Sequence, residues 1–294
     1  MNSFATVPQT LIDVVLDRDT GYSESVAAGD SREAVFAAAG ETAREFPESL
    51  WIEEKDWPEV ARENDKNGTW PIDFIDRFTN QSPTHECTSH SLRACMEAAR
   101  NRQRGIKLGP PQAGVRLPTS AKSASVWLSP LSVYAEANPG QWGGAGVRQV
   151  MEIAVRRGML PELIQPREYG FKHAIQGTTG SGGINQSRGS WLSVSRFPEG
   201  WQETAKHFRP LEVIFAENWR QAVCLVLHGY CVGVGRSGHA IPWSFWNPTQ
   251  QVMGYVDSYD VVRYDSLGTV KSAWQGSFAI ATTTIPDDWD KPCG

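Results

Sequence analysis

The sequence predicts a two-lobe α+β protein, a helical lobe packed against an antiparallel β-sheet or barrel lobe. Three observations carry that reading. Residues 87–103 and 143–157 place apolar side chains at helical spacing. Residues 165–190 are rich in glycine and serine and interrupt the pattern. Beyond them, β-branched and aromatic residues run in short stretches separated by turn residues. The organisation that follows is an N-terminal arm with short helices over 1–67, a helical lobe over 68–164 and a β-rich lobe over 165–294.

With 294 residues the chain can bury a substantial core. Its net charge is −5 and no lysine/arginine block occurs, which argues against a nucleic-acid partner. There is no apolar run of about 18 residues, and residues 1–30 lack the basic start and apolar stretch of a signal peptide. No membrane partner and no secretion are therefore expected, and a cytoplasmic or virion-associated protein fits. Twelve tryptophans alongside 27 glycines and 18 prolines point to a loop-rich fold. Five cysteines without a disulfide framework are expected to be reduced thiols, with Cys224 and Cys231 the pair that keeps the alternative open.

Taken in order, Ser31 is a candidate N-cap for a helix running to Phe46. Asp56, followed three residues later by Glu59, opens a short helix expected to end near Asn64. Residues 68–79, with Trp70, Ile72, Phe74, Ile75 and Phe78, read as extended. A propeptide-like cover is the alternative for the first 48 residues, although no cleavage signal is legible. Residues 105–125 read as a surface loop. Ser129 and Pro130 begin a short helix. Val147, Val150, Met151, Ala154 and Val155 form the buried stripe of the next, which Gly158 ends ahead of Pro161. Gly180 to Gly183 lacks the lysine and helix of a phosphate-binding loop and reads as mobile surface. From a helix end near Trp219 the chain is expected to turn extended over 222–235. Further strands follow at 238–246 and 252–260, joined by Asn247 to Gln250, and then at 260–268 and 274–285.

Cys87 lies where a polar loop becomes the helix that buries Leu92, Cys95, Met96 and Ala99. A thiol there meets unpaired backbone N–H groups and the positive end of the helix dipole, which favour a thiolate. Gln81, six residues upstream, can aim its amide N–H₂ at whatever Cys87 attacks, as an oxyanion donor does. Cys95 sits among apolar neighbours and reads as core. Glu86, beside the candidate nucleophile, works against the thiolate.

His239 is a polar residue in an otherwise apolar strand. With a turn near Thr249, antiparallel pairing brings Asp257, Ser258 and Tyr259 opposite it. Asp257 can then accept the proton of the far imidazole nitrogen and fix the tautomer, while Tyr259 covers the bond from water. Asp265, in the similar segment Tyr264 to Gly268, is the alternative orienter.

The serial order of glutamine, cysteine, histidine and carboxylate resembles that of the papain-like cysteine peptidases. The spacing from Gln81 to Cys87 matches that superfamily. His239-Ala240-Ile241 is similar to its histidine strand, and Asp257-Ser258-Tyr259 to its asparagine-serine-tryptophan segment. Leu128-Ser129-Pro130 with Tyr134, the helix over 143–157, and Gly158 to Glu162 resemble a bacterial and phage branch. The resemblance spans about residues 68–282. It implies a papain-like two-lobe fold, a hydrolase acting on a protein or peptide substrate, and no cofactor or metal. Cys87 would be nucleophile, His239 base, Asp257 orienter and Gln81 oxyanion donor. Two departures stand out: the glycine and tryptophan that flank the family's cysteine are missing around Cys87, and aspartate replaces asparagine.

Rival readings remain. A catalytically inactive papain-like protein could serve as a structural or binding module, such as a phage virion component, with homo-oligomer or virion assembly as its partner state. A zinc site could draw on His85, Cys87 and His90, or on Cys224, His228 and Cys231, but neither set supplies a fourth ligand. Strand alternation would also put Cys231 on the face opposite Cys224 and His228. Ser237, close to His239, has no nucleophile elbow around it.

Overall fold

The computed structural model describes residues 6–14, 22, 27–75, 81, 85–107, 128–138, 143–161, 197, 199–236, 238–259, 261–273 and 277–285. The expected loops over most of 105–125 and all of 165–190, including Gly180 to Gly183, lie outside these, as do Ser237 and Glu162.

The first helix, α1 (Arg32–Ala39), starts where the Ser31 side chain accepts from the Ala34 N–H at 3.2 Å. It stops earlier than the sequence suggests, because Gly40 takes a positive φ of 56° and the chain turns into strand β1 (Ala43–Glu45). Helix α2 (Trp57–Asn67) runs a turn past the expected Asn64, to the left-handed Gly68. Residues 71–74 form a 3₁₀ turn within the stretch read as extended. Helix α3 (Cys87–Gln103) is buried along almost its whole length. Helices α4 (Pro130–Ala137) and α5 (Val147–Arg156) follow as the Pro130 start and the apolar stripe predict. Gly158, with φ 94°, makes the exit, where an added Cβ would lie 1.8 Å from the Ala205 carbonyl oxygen.

After α6 (Trp201–Ala205) and β2 (Pro210–Phe215) comes the clearest correction. Residues 219–227, largely read as extended, are helix α7 (Trp219–Leu227), capped by Asn218, whose side chain accepts from the N–H groups of Arg220 and Gln221. A short, wholly buried apolar run has no exposed face to show a period, so helix and strand look alike in it. Strands β3 (Val232–Arg236), β4 (His239–Asn247), β5 (Val252–Asp257) and β6 (Val261–Ser266) then run antiparallel. Helix α8 (Leu267–Ala273), which the sequence reading does not anticipate, leads to β7 (Phe278–Thr283).

The seven strands form one sheet in the order β1-β2-β7-β3-β4-β5-β6, antiparallel except for the β1–β2 pair. Helix α3 packs across β4, β7 and β3, which sets Cys87 at the helix start against the sheet. The N-terminal segment joins this core, since β1 forms a sheet edge and Val35, Ala39, Trp57 and Ala61 are buried in it. Tryptophan serves packing as well as loops. Trp57 stands edge-on to Trp219 and Trp246 at 5.9 and 5.8 Å, and Trp70 meets Phe245 at 5.0 Å. The four described cysteines are free thiols, Cys95 and Cys231 lying 3.7 Å apart. Among the described residues no helix is long and apolar enough to cross a membrane.

Candidate active site

Cys87 is the first residue of α3 and fully buried. Its neighbour Thr88 ties the helix start to the Ala145 carbonyl at 2.6 Å, just ahead of α5. Glu86 turns along the helix toward His90, with Oε2 3.8 Å from Nε2.

Strand β4 opens at His239, after Gly238 with φ 73°. Continuing the Trp243–Tyr255 pairing outward along both strands sets Ile241 opposite Asp257 and His239 opposite Tyr259. Asp257 is thereby a diagonal neighbour of His239 on the same sheet face. Its Oδ1 lies 3.0 Å from His239 Nε2. The Tyr259 ring centre is 6.1 Å from the imidazole. With Nε2 engaged, Nδ1 is the nitrogen left to face Cys87, whose side chain interacts with the ring. Burial pushes His239 toward its neutral form, but Asp257 and Cys87 outweigh it and raise the imidazole to about 9. The balance favours the protonated ring.

Asp265 lies elsewhere. It accepts from Trp243 Nε1 at 3.0 Å and pairs with Arg236 Nη1 at 3.2 Å. Burial raises it to about 6, against the pull of Arg236 and Trp243.

Gln81 is fully buried and doubly bound to the segment that follows Asp257. Its backbone N–H donates to the Ser258 carbonyl at 2.7 Å, and Ser258 Oγ donates to Gln81 Oε1 at 2.5 Å. The amide oxygen faces Ser258, so the N–H₂ group points the other way.

Three residues at the site escape the sequence reading. Tyr22 forms an antiparallel bridge with Gly238, next to His239, and its ring fills the space a Cβ on Gly235 would need. Its hydroxyl bonds Asp30 and its phenol is electrostatically coupled to Cys87. Burial first, then Asp30, holds that phenol far above its ordinary value. Asp30 in turn accepts from the N–H groups of Val147 and Arg148 at 2.5 and 2.8 Å, capping α5 from a distant segment. Arg263, the third, stands 2.5 Å from Asp257 Oδ2. A lone tyrosine or arginine carries no positional signal in sequence; only the fold brings these to the site.

The proposed zinc sets do not converge. Cys224 donates to the Ile52 carbonyl at 3.5 Å, His228 Nε2 faces the Leu50 carbonyl at 3.1 Å, and Cys231 lies against Cys95. Among the described residues no group of three candidate ligands could hold a metal ion.

No protein-family model matches the chain, and no curated protein does. Solved structures do. Xylellain, a cysteine protease from Xylella fastidiosa, aligns with a TM-score of 0.51 at 12% identity, over 70% of this chain and 82% of that one. Procathepsin B S9 from Trypanosoma congolense aligns with a TM-score of 0.47 at 9% identity, over 88% of this chain and 95% of that one. From the xylellain likeness and the packing of α3 across the antiparallel sheet, this chain has the α+β fold of the papain-like cysteine proteases.

Proposed function

We propose that the protein is a papain-like cysteine peptidase that cleaves a peptide or isopeptide bond. One observation carries the reading: a buried imidazole whose Nε2 is 3.0 Å from Asp257 Oδ1, in a fold whose candidate nucleophile starts a helix. In the first step the Cys87 thiolate attacks the substrate carbonyl carbon and the C=O π electrons move to oxygen. The resulting oxyanion takes hydrogen bonds from the Cys87 N–H and the Gln81 amide. His239 gives its proton to the departing amine as the C–N bond breaks, leaving a thioester. Water then attacks that thioester, His239 accepts its proton, and the acid leaves with Cys87 regenerated. Asp257 keeps Nε2 as the donor throughout.

A catalytically silent relative is the second reading, favoured by the complete burial of Cys87. The pH dependence of Cys87 alkylation by iodoacetamide separates the two. A working site alkylates at pH 6 far faster than the same cysteine in urea-unfolded chain, because only an ion-paired thiolate reacts there. Alkylation no faster than in the unfolded chain would select the silent relative.

A further inference from the structure

Where the papain-like pattern carries a neutral asparagine, this chain carries an ionisable aspartate, fully buried. An extra buried charge needs compensation. Both carboxylate oxygens of Asp257 are engaged, by groups from opposite neighbouring strands. Oδ1 faces His239 Nε2 on β4 at 3.0 Å, and Oδ2 faces Arg263 Nε on β6 at 2.5 Å. The second contact is a charge contact, not an aligned hydrogen bond. Register explains it: Arg263 lies opposite Tyr255, two residues from Asp257 and so on the same face.

We propose that Arg263 is a positioning residue that clamps Asp257 so that an aspartate can orient His239 where the family uses an amide. This rests on the peptidase reading of the site. The other charged and titratable groups around the pair already have work. Arg236 contacts Asp265 and the Tyr255 hydroxyl, at 3.2 and 2.9 Å, and acts on Asp257 only through its field. His90 and Arg93 on α3 share a small cavity with Asp257, and Arg93 pairs with Glu97 at 2.6 Å. Cys87 acts on the imidazole itself. Arg263 alone of the nearby cations contacts Oδ2 among the described ion pairs.

The clamp predicts a reversal of sign. With Asp257 present, losing Arg263 lets the carboxylate turn from the imidazole. Once Asp257→Asn has removed that charge, Arg263 is an uncompensated cation, and losing it helps or does nothing. The test compares four full-length proteins: parent, Arg263→Met, Asp257→Asn and the double variant. Each is checked for folding by circular dichroism; Arg263→Gln takes the place of Arg263→Met if that variant does not fold. The readouts are the midpoint of the His239 ring titration by NMR and the rate of Cys87 alkylation at pH 6. Arg263→Met should lower the midpoint by about one pH unit and slow alkylation about tenfold when Asp257 is retained. Added to Asp257→Asn, it should lower neither. An equal loss in both backgrounds, as a merely structural arginine would give, overturns the proposal; so does no change with Asp257 present. The ring midpoints judge the clamp even if the parent shows no fast alkylation, an outcome that would remove only the peptidase reading.

Discussion

Asp257 and His239 meet diagonally across β4 and β5, with 3.0 Å between Oδ1 and Nε2 and both side chains buried. The contact joins two neighbouring strands, so it is set by sheet register. It also leaves the second carboxylate oxygen for Arg263. Asp265, one strand further on, is directed to Trp243 and Arg236.

Asp257→Asn should depress the low-pH limb of Cys87 alkylation by about tenfold while leaving the far-ultraviolet spectrum unchanged, because asparagine offers the imidazolium a dipole in place of a charge. Asp265→Asn should leave that limb as it is. A shift seen only with Asp265→Asn would mean that the solution register of β5 differs from the one described.

Gln81→Ala should lower turnover of a peptide identified from an unbiased library on the order of 10² fold, with little change in KM. Ser258→Ala should have a smaller effect of the same kind, since Ser258 acts through the Gln81 amide, which it holds by its oxygen. Full turnover by Gln81→Ala would remove Gln81 from the mechanism.

Stability should fall on the alkaline side. His239 binds its proton more tightly in the folded chain, at about 9, than in the unfolded chain at about 6.5. Its own contribution is complete below pH 6.5 and is lost as pH rises through 9, on the order of 3 kcal/mol at most, less the offset from any proton that Cys87 gives up to the pair. Asp265, raised to about 6, titrates below that window. Urea unfolding at pH 6.5 and 9.5 should show the drop in the parent and a smaller one in Asp257→Asn. Equal drops would detach the linkage from this pair.

Tyr22 offers a test of access. Tyr22→Ala should speed Cys87 alkylation about tenfold, at a stability cost of about 3–5 kcal/mol from the cavity it leaves. Gly235→Ala should act alike with Tyr22 retained, because the new Cβ would lie 2.1 Å from the phenol oxygen and drive the ring out. If neither variant gains reactivity, Tyr22 does not govern access to the thiol.

Local features of the chain alone determined a good deal. The helix start at Cys87, the Ser31 cap, the Pro130 entry and the Gly158 exit are written in residues a few positions apart, because capping, ring constraint and positive φ are short-range effects. The strands from His239 to Asp257 are legible from short stretches rich in β-branched and aromatic residues and the turn between them. What lacked a local signal was left to tertiary structure. A buried apolar run such as 222–227 reads equally as helix or strand until its neighbours decide. The choice between two similar segments, around Asp257 and Asp265, depends on a bulged register near Trp243 that no residue announces. Tyr22, Asp30 and Arg263 reach the site from segments far apart in sequence. Charge compensation depends on distance in space, and that distance exists only once the sheet has closed against α3.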